Sequence, residues 1–350
     1  MIRTSRIYGR MMLSGMAIAA LAVTASATPS TPLYTEIARI AGPDGGWDLT
    51  SVDPAARRLY VARSQAIMAV DLRNGKVTPA VVPAQRGHAA LAIPGTSEVI
   101  STNGADNTAT IFDGRTGKVR AVVAVGKKPD AVAYDTATRT LWVMNADGGD
   151  ISVIDRRSAR VVATVPVAGA LELGAADGDG RLYVNVEDRN EVAVIDTRTQ
   201  RLVTRFPLAG CEGPTGIAYD PTQKLLISAC SNSRAIVSTR DGRQVASLAI
   251  GPGPDGALFD RRRHVALIPS GGDGTLAVID LRGHPRVVST IPTARGARTA
   301  ALDEVTGRIY LSAADYLPAV GKERPKMVPG SYHLIVLEPA AHNRETAYRR

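Results

Sequence analysis

The sequence predicts an all-β protein: a seven-bladed β-propeller of four-stranded blades, with the last blade closed by the N-terminal strand. Three observations predict it. Short apolar runs rich in Val and Ile, separated by turn residues, recur along the chain. They fall into groups of four that repeat at steps of mostly 40–43 residues, over seven units. The seventh unit lacks its fourth run, while an orphan run with the fourth-strand pattern, Tyr34 to Ala41, stands at the other end of the chain.

The third unit shows the pattern. Asp130-Ala-Val-Ala-Tyr-Asp135 is its first run, Leu141-Trp-Val-Met-Asn145 its second, Ile151-Ser-Val-Ile-Asp155 its third and Arg160-Val-Val-Ala-Thr-Val165 its fourth. The third runs end at Asp71, Asp113, Asp155, Asp196, Asp241, Asp280 and Glu338. Arg73-Asn-Gly-Lys76 and Arg115-Thr-Gly-Lys118 read as hairpins between third and fourth strands, with Gly where a turn needs positive φ. They are not phosphate loops, because G-x-x-x-x-G-K-[ST] is absent and a strand follows. Tyr60, Trp142, Tyr183 and Tyr310 share one position on the second strands and read as blade-to-blade packing rather than a base-stacking platform. In the seventh unit, Thr299 to Leu302, Ile309 to Leu311 and Leu334 to Leu337 supply three strands, and pairing with Tyr34 to Ala41 removes the open sheet edge.

The propeller occupies residues 34–339, between a leader and a tail. Residues 1–27 have the layout of a signal peptide: Arg3, Arg6 and Arg10, an apolar run from Met11 to Val23, and Ala25-Ser26-Ala27 as the cleavage site. The run is short for a membrane span, and no second run of ~20 apolar residues follows, so a soluble periplasmic or secreted protein is expected. Residues 340–350 form a basic tail. Removing the leader lowers the formal charge from +9 to +6, as Lys+Arg falls from 42 to 39 against 33 Asp+Glu, and the tail holds +2 of that. So mild a body charge, with 4% aromatics, weakens a nucleic-acid reading. Cys211 and Cys230 are the two cysteines, and they flank the hairpin that turns at Asp220 to Gln223. They should face each other at one end of it and form a disulfide, as befits an exported chain.

The second strands and their following polar residues, Trp142-Val-Met-Asn145, Tyr60-Val-Ala-Arg63 and Tyr183-Val-Asn-Val186, together with the recurring Val-Ile-Asp strand, resemble the YVTN-type β-propeller repeat family and its YncE-like exported members. The resemblance spans residues 34–339; Ala266-Leu-Ile-Pro269 departs from the signature. It implies an exported propeller acting as a binding or scaffold protein. It carries over no catalytic residue set.

Aligning the seven first strands places one polar position at the mouth of the central channel: Asp48, His88, Asp130, Glu172, Thr215, Asp255 and Arg298. Carboxylates gathered at a narrow mouth repel one another and call for a cation, a shared proton or a basic partner. Arg298 is expected to pair with Asp48 around the closed ring, and Asp130 and Glu172 to share a divalent cation or a proton. The second-to-third connection of the seventh blade, from about Ala313 to Tyr332, is long enough for a lid, with Lys322, Arg324 and Lys326 as its basic residues. H-E-x-x-H, G-x-S-x-G and Cys-x-x-Cys are absent, and the five histidines are scattered. His88 alone stands at a ring position; His264 and His284 fall near turns and read as surface residues.

The expected function is therefore ligand binding or protein interaction through the channel-mouth face, with a small-molecule or protein partner and no membrane insertion after processing. Two alternatives stay open. One is a lactonase-like hydrolase or isomerase that uses ring carboxylates and a bound cation, with His88 as acid–base group. The other is a weak nucleic-acid binder, which would lose affinity with rising salt.

Overall fold

Strand runs with both faces apolar dominate the chain, and in the computed structural model they assemble into seven antiparallel sheets of four strands each. The structure describes residues 1–2, 33–318 and 325–340. The leader (but for its first two residues), Lys322, Arg324 and the tail from 341 on lie outside the described residues. No described helix is long and apolar enough to cross a membrane.

Blade 3 is representative: Pro129–Asp135, Thr140–Asn145, Asp150–Asp155 and Arg160–Pro166 pair in that order. Its second strand is buried at every position. The reason is geometric. Successive side chains point to opposite faces, and each face meets a different neighbouring blade. Leu141 and Val143 join a core shared with Ile100, Ile111 and Val123 of blade 2. Trp142 and Met144 join a core shared with Leu182, Val184 and Ala193 of blade 4. One such apolar core fills each of the seven blade interfaces. Tyr60, Trp142, Tyr183 and Tyr310 are buried in four of them, in the packing role their position predicts.

The turns follow an equally local chemistry. Gly75 and Gly117 take the left-handed conformation (φ 74° for both) that the Asn-Gly and Thr-Gly hairpins require. Acids at strand ends accept from backbone N–H groups two and three residues on, as Asp53 does from Ala55 and Ala56 and Asp196 from Arg198 and Thr199. Blade 5 departs from this pattern. Its third strand ends at Thr239, and Asp241 sits beyond it in the turn, held by the Thr239 hydroxyl.

The ring closes as the orphan strand predicts. Tyr34–Ala41 pairs antiparallel with His333–Pro339, giving blade 7 the order Ala300–Leu302, Ile309–Ala313, His333–Pro339, Tyr34–Ala41. Tyr34 is buried, and its hydroxyl donates to Asp260 of blade 6. The chain then crosses to blade 1 through residues 42–46, which Arg63 clasps. Its guanidinium donates to the carbonyls of Pro43, Gly45 and Gly46 and lies 3.9 Å over the Tyr332 ring. Cys211 and Cys230 are disulfide-bonded, with Cα atoms 5.5 Å apart at one end of the blade 5 hairpin. His264 is less exposed than its turn position suggests: Nε2 lies 2.9 Å from Asp220 and the ring meets Phe259 edge-on.

Candidate functional site

The first strands line the channel, and their starting residues gather at one mouth. The inner strands of blades 1 to 5 are Trp47–Asp53, Gly87–Ala92, Pro129–Asp135, Leu171–Ala176 and Pro214–Asp220. Those of blades 6 and 7 are shorter, Leu258–Asp260 and Ala300–Leu302, so Asp255 and Arg298 stand in the approaches to them. Side-chain bonds strap inner strands to the blade before them. Thr102 donates to the Asp130 carbonyl, Asn185 to the carbonyls of Thr215 and Gly216, and Thr299 to the Asp48 carbonyl. Asn185 is fully buried, and the Ser228 hydroxyl satisfies its oxygen.

Six of the seven ring residues, Asp48, His88, Asp130, Glu172, Asp255 and Arg298, wall a funnel of about 320 Å³. Below it the channel narrows to an apolar neck of about 130 Å³, lined by small residues such as Ala90, Ala131, Gly174 and Ala300. Thr215 is turned away from the funnel. It is buried, and its hydroxyl donates to the Pro254 carbonyl, so it straps blade 5 to blade 6.

The charges inside the funnel pair differently from the sequence expectation. Arg298 meets Asp255 at 2.8 Å rather than Asp48. Blades 6 and 7 bring those two residues side by side, while Asp48 turns toward blade 2. There the His88 Nδ1 lies 2.8 Å from Asp48 Oδ2 and 3.2 Å from Asp130 Oδ1. The hydrogen bond to Asp48 holds the imidazole above its ordinary range. Burial raises Asp130 as well. Asp130 thus joins His88 and Asp48, while Glu172 makes no side-chain hydrogen bond or ion pair among the described residues. Burial, together with the charges of Asp130, Asp255, Glu187 and Asp48, pushes the Glu172 carboxyl up to about 9. Burial pushes Asp255 up to about 7, against the pull of Arg298.

Two charged lining residues were missed in the sequence, Arg86 and Lys128. Each stands two positions before a ring residue. In blades 5, 6 and 7 that position is Gly213, Gly253 or Gly296, all at positive φ. Arg86 and Lys128 hold the same left-handed conformation at φ 54° and 49°. For a residue with a Cβ this costs roughly 1–2 kcal/mol. The signal was present in the alignment as cations standing at a glycine position. Lys128 pairs with Asp147 at 3.4 Å, and Arg86 extends from the rim, exposed.

At the base of the long blade 7 connection, Tyr316 bridges to Met327, and Leu317 donates to the carbonyl of Lys326. The Tyr316 ring lies against Gly296, two residues from Arg298, so the base of this connection reaches the mouth face. Lys326 is exposed there.

Fold and site together define the class: a seven-bladed, all-β propeller with a polar funnel at one channel mouth. No family model matches the chain, and no curated protein sequence does. Solved structures do. A chain of the "Crystal Structure of Mitotic Checkpoint Complex" superposes with a TM-score of 0.73 at 14% identity, covering 95% of this chain and 98% of its own. A chain of "Kuenenia stuttgartiensis Hydrazine Synthase" gives 0.66 at 16% identity, covering 81% of this chain and 95% of its own. At such identities the likeness shows the shared fold alone.

Proposed function

We propose that this chain is an exported propeller that binds a small polar ligand in its mouth funnel and works as a binding protein or scaffold rather than as a catalyst. The observation that carries this reading is the convergence of six ring side chains on one cavity, with four acidic groups crowded where a fold has no need of them. Arg86 and Lys128 add two cations to the lining of the same cavity. Export is supported by the leader layout and by the Cys211–Cys230 bridge, which persists in oxidising compartments. The resemblance to YncE-like exported propellers agrees with it.

The hydrolase alternative is less well supported by the orientation of His88. A general base needs one nitrogen free for substrate while the other is oriented by a carboxylate. Nδ1 is taken by two carboxylates, and Nε2 is buried beneath Gly104. The test of the binding reading is equilibrium dialysis of the purified chain against a small-molecule cell extract, read by mass spectrometry. A compound should be retained by the chain and released by Arg86→Ala and Glu172→Ala. Retention unchanged in both variants, or no retained compound, would end the proposal.

A further inference from the structure

We propose that Asp48, His88 and Asp130 form a three-ligand site for one divalent transition-metal ion of the zinc type, open toward the funnel. This rests on the mouth being a ligand site, and it names the chemistry at its floor. The three residues come from three consecutive blades, and one ligand atom from each lies within 4.8 Å of the others. The imidazole nitrogen faces both carboxylates, at 2.8 and 3.2 Å. Donors that share an ion at ~2.0–2.2 Å stand roughly 3 Å apart.

A proton and a metal ion compete for this cluster. Neutral His88 with its hydrogen on Nδ1 serves one acceptor well, Asp48, and leaves Asp130 as a second anion beside it. Imidazolium would serve both, but it places a charged N–H at Nε2. That atom is buried without a partner among the described residues, and a charged donor left unpaired costs more than a neutral one. A divalent ion at Nδ1 engages all three groups: it displaces the Nδ1 proton of the imidazolium to solvent and leaves a neutral ring with its hydrogen on Nε2.

The donor set selects the metal. Calcium and magnesium favour six or more oxygen ligands, whereas one imidazole with two carboxylates suits zinc, cobalt or manganese. Three protein ligands leave positions open on the funnel side, toward the carboxyl of Glu172. The backbone shields the other side of the imidazole: a Cβ added to Gly104 would lie 2.7 Å from the His88 ring. Gly104 is therefore a positioning residue, since only glycine lets the ring lie where Nδ1 reaches both acids.

The experiment is isothermal titration of the untagged full chain, stripped with a chelator, with Zn²⁺, together with visible absorption on adding Co²⁺. One Zn²⁺ per chain is expected, with Co²⁺ bands that Zn²⁺ abolishes. His88→Ala and Asp130→Asn should each weaken Zn²⁺ binding by more than the ~10–100-fold that loss of an outer-shell partner costs. Gly104→Ala should weaken it by about 10-fold and shift the Co²⁺ bands, a change that mere loss of stability would not produce. If His88→Ala does not melt cooperatively, Asp48→Asn decides, because it replaces a single oxygen. Absence of Zn²⁺ binding, binding unchanged by these variants, or Ca²⁺ taken up in place of Zn²⁺ would overturn the proposal. A chain that takes no Zn²⁺ but still retains a small molecule that Arg86→Ala releases loses the metal and keeps the site.

Discussion

Replacing Glu172 by Gln should make the metal-free protein more stable at neutral pH. The free carboxyl gives up its proton near 4.5, whereas burial in the funnel holds it to about 9. Between those values the unfolded chain binds fewer protons than the folded one, so stability falls as pH rises, and the loss is complete above 9. Each pH unit in that window costs ~1.4 kcal/mol, and pH 7 stands 2.5 units above 4.5. The burden at pH 7 is therefore about 3 kcal/mol at most, trimmed to roughly 2 kcal/mol because water enters the funnel. Gln has the same shape and is neutral in both states, so it removes the burden. For a domain of this size that raises the melting temperature by roughly 4 °C. The assay is calorimetry of both proteins in chelator at pH 7 and pH 4, where the difference should vanish. A variant that melts lower at pH 7, or one whose difference is the same at both pH values, would refute the reasoning and make Glu172 a structural residue.

Three further outcomes follow from the fold. Cys211→Ser should lower stability by about 3 kcal/mol, since the bridge closes a loop spanning 19 positions; intact mass before and after reduction of the wild-type chain should differ by two hydrogen atoms. A chain that begins after Gly42 loses the strand that pairs with His333–Pro339 and exposes that edge, so gel filtration should show aggregates or a clearly lower melting temperature. Arg63→Ala should cost about 3 kcal/mol or more, because three clasped carbonyls lose their donor and the face of Tyr332 loses its cation. Arg63→Lys, with one ammonium in place of the fork, should recover only part of it.

The architecture was legible because it repeats. Leu141-Trp-Val-Met-Asn145 reads as a strand buried on both faces, and the same signal seven times over leaves little room for another fold. The closing strand was legible from what blade 7 lacked. The repeat also aligns the seven first-strand starts, six of which line one cavity. Their partners were not legible. Whether Arg298 meets Asp48 or Asp255 depends on how two inner strands shortened to three residues let their approaches bend. Spacing along the chain carries no such information. Thr215 shows the same limit: its place in the ring is right, but the Pro254 carbonyl turns its hydroxyl away from the funnel. Arg86 and Lys128 escaped notice because a cation before a ring residue looks like ordinary surface charge until its backbone conformation is known.

Closure by Tyr34–Ala41 also sets an order of events. This strand is the first of the propeller to be synthesised, and its partner, His333–Pro339, is the last. Blades 1 to 6 each collect their four strands from neighbouring sequence and can form as the chain lengthens. The first strand must wait through all of them with its hydrogen-bonding edge unmatched. The ring is thus a clasp whose two halves arrive at opposite ends of synthesis, and an incomplete chain has no way to lock.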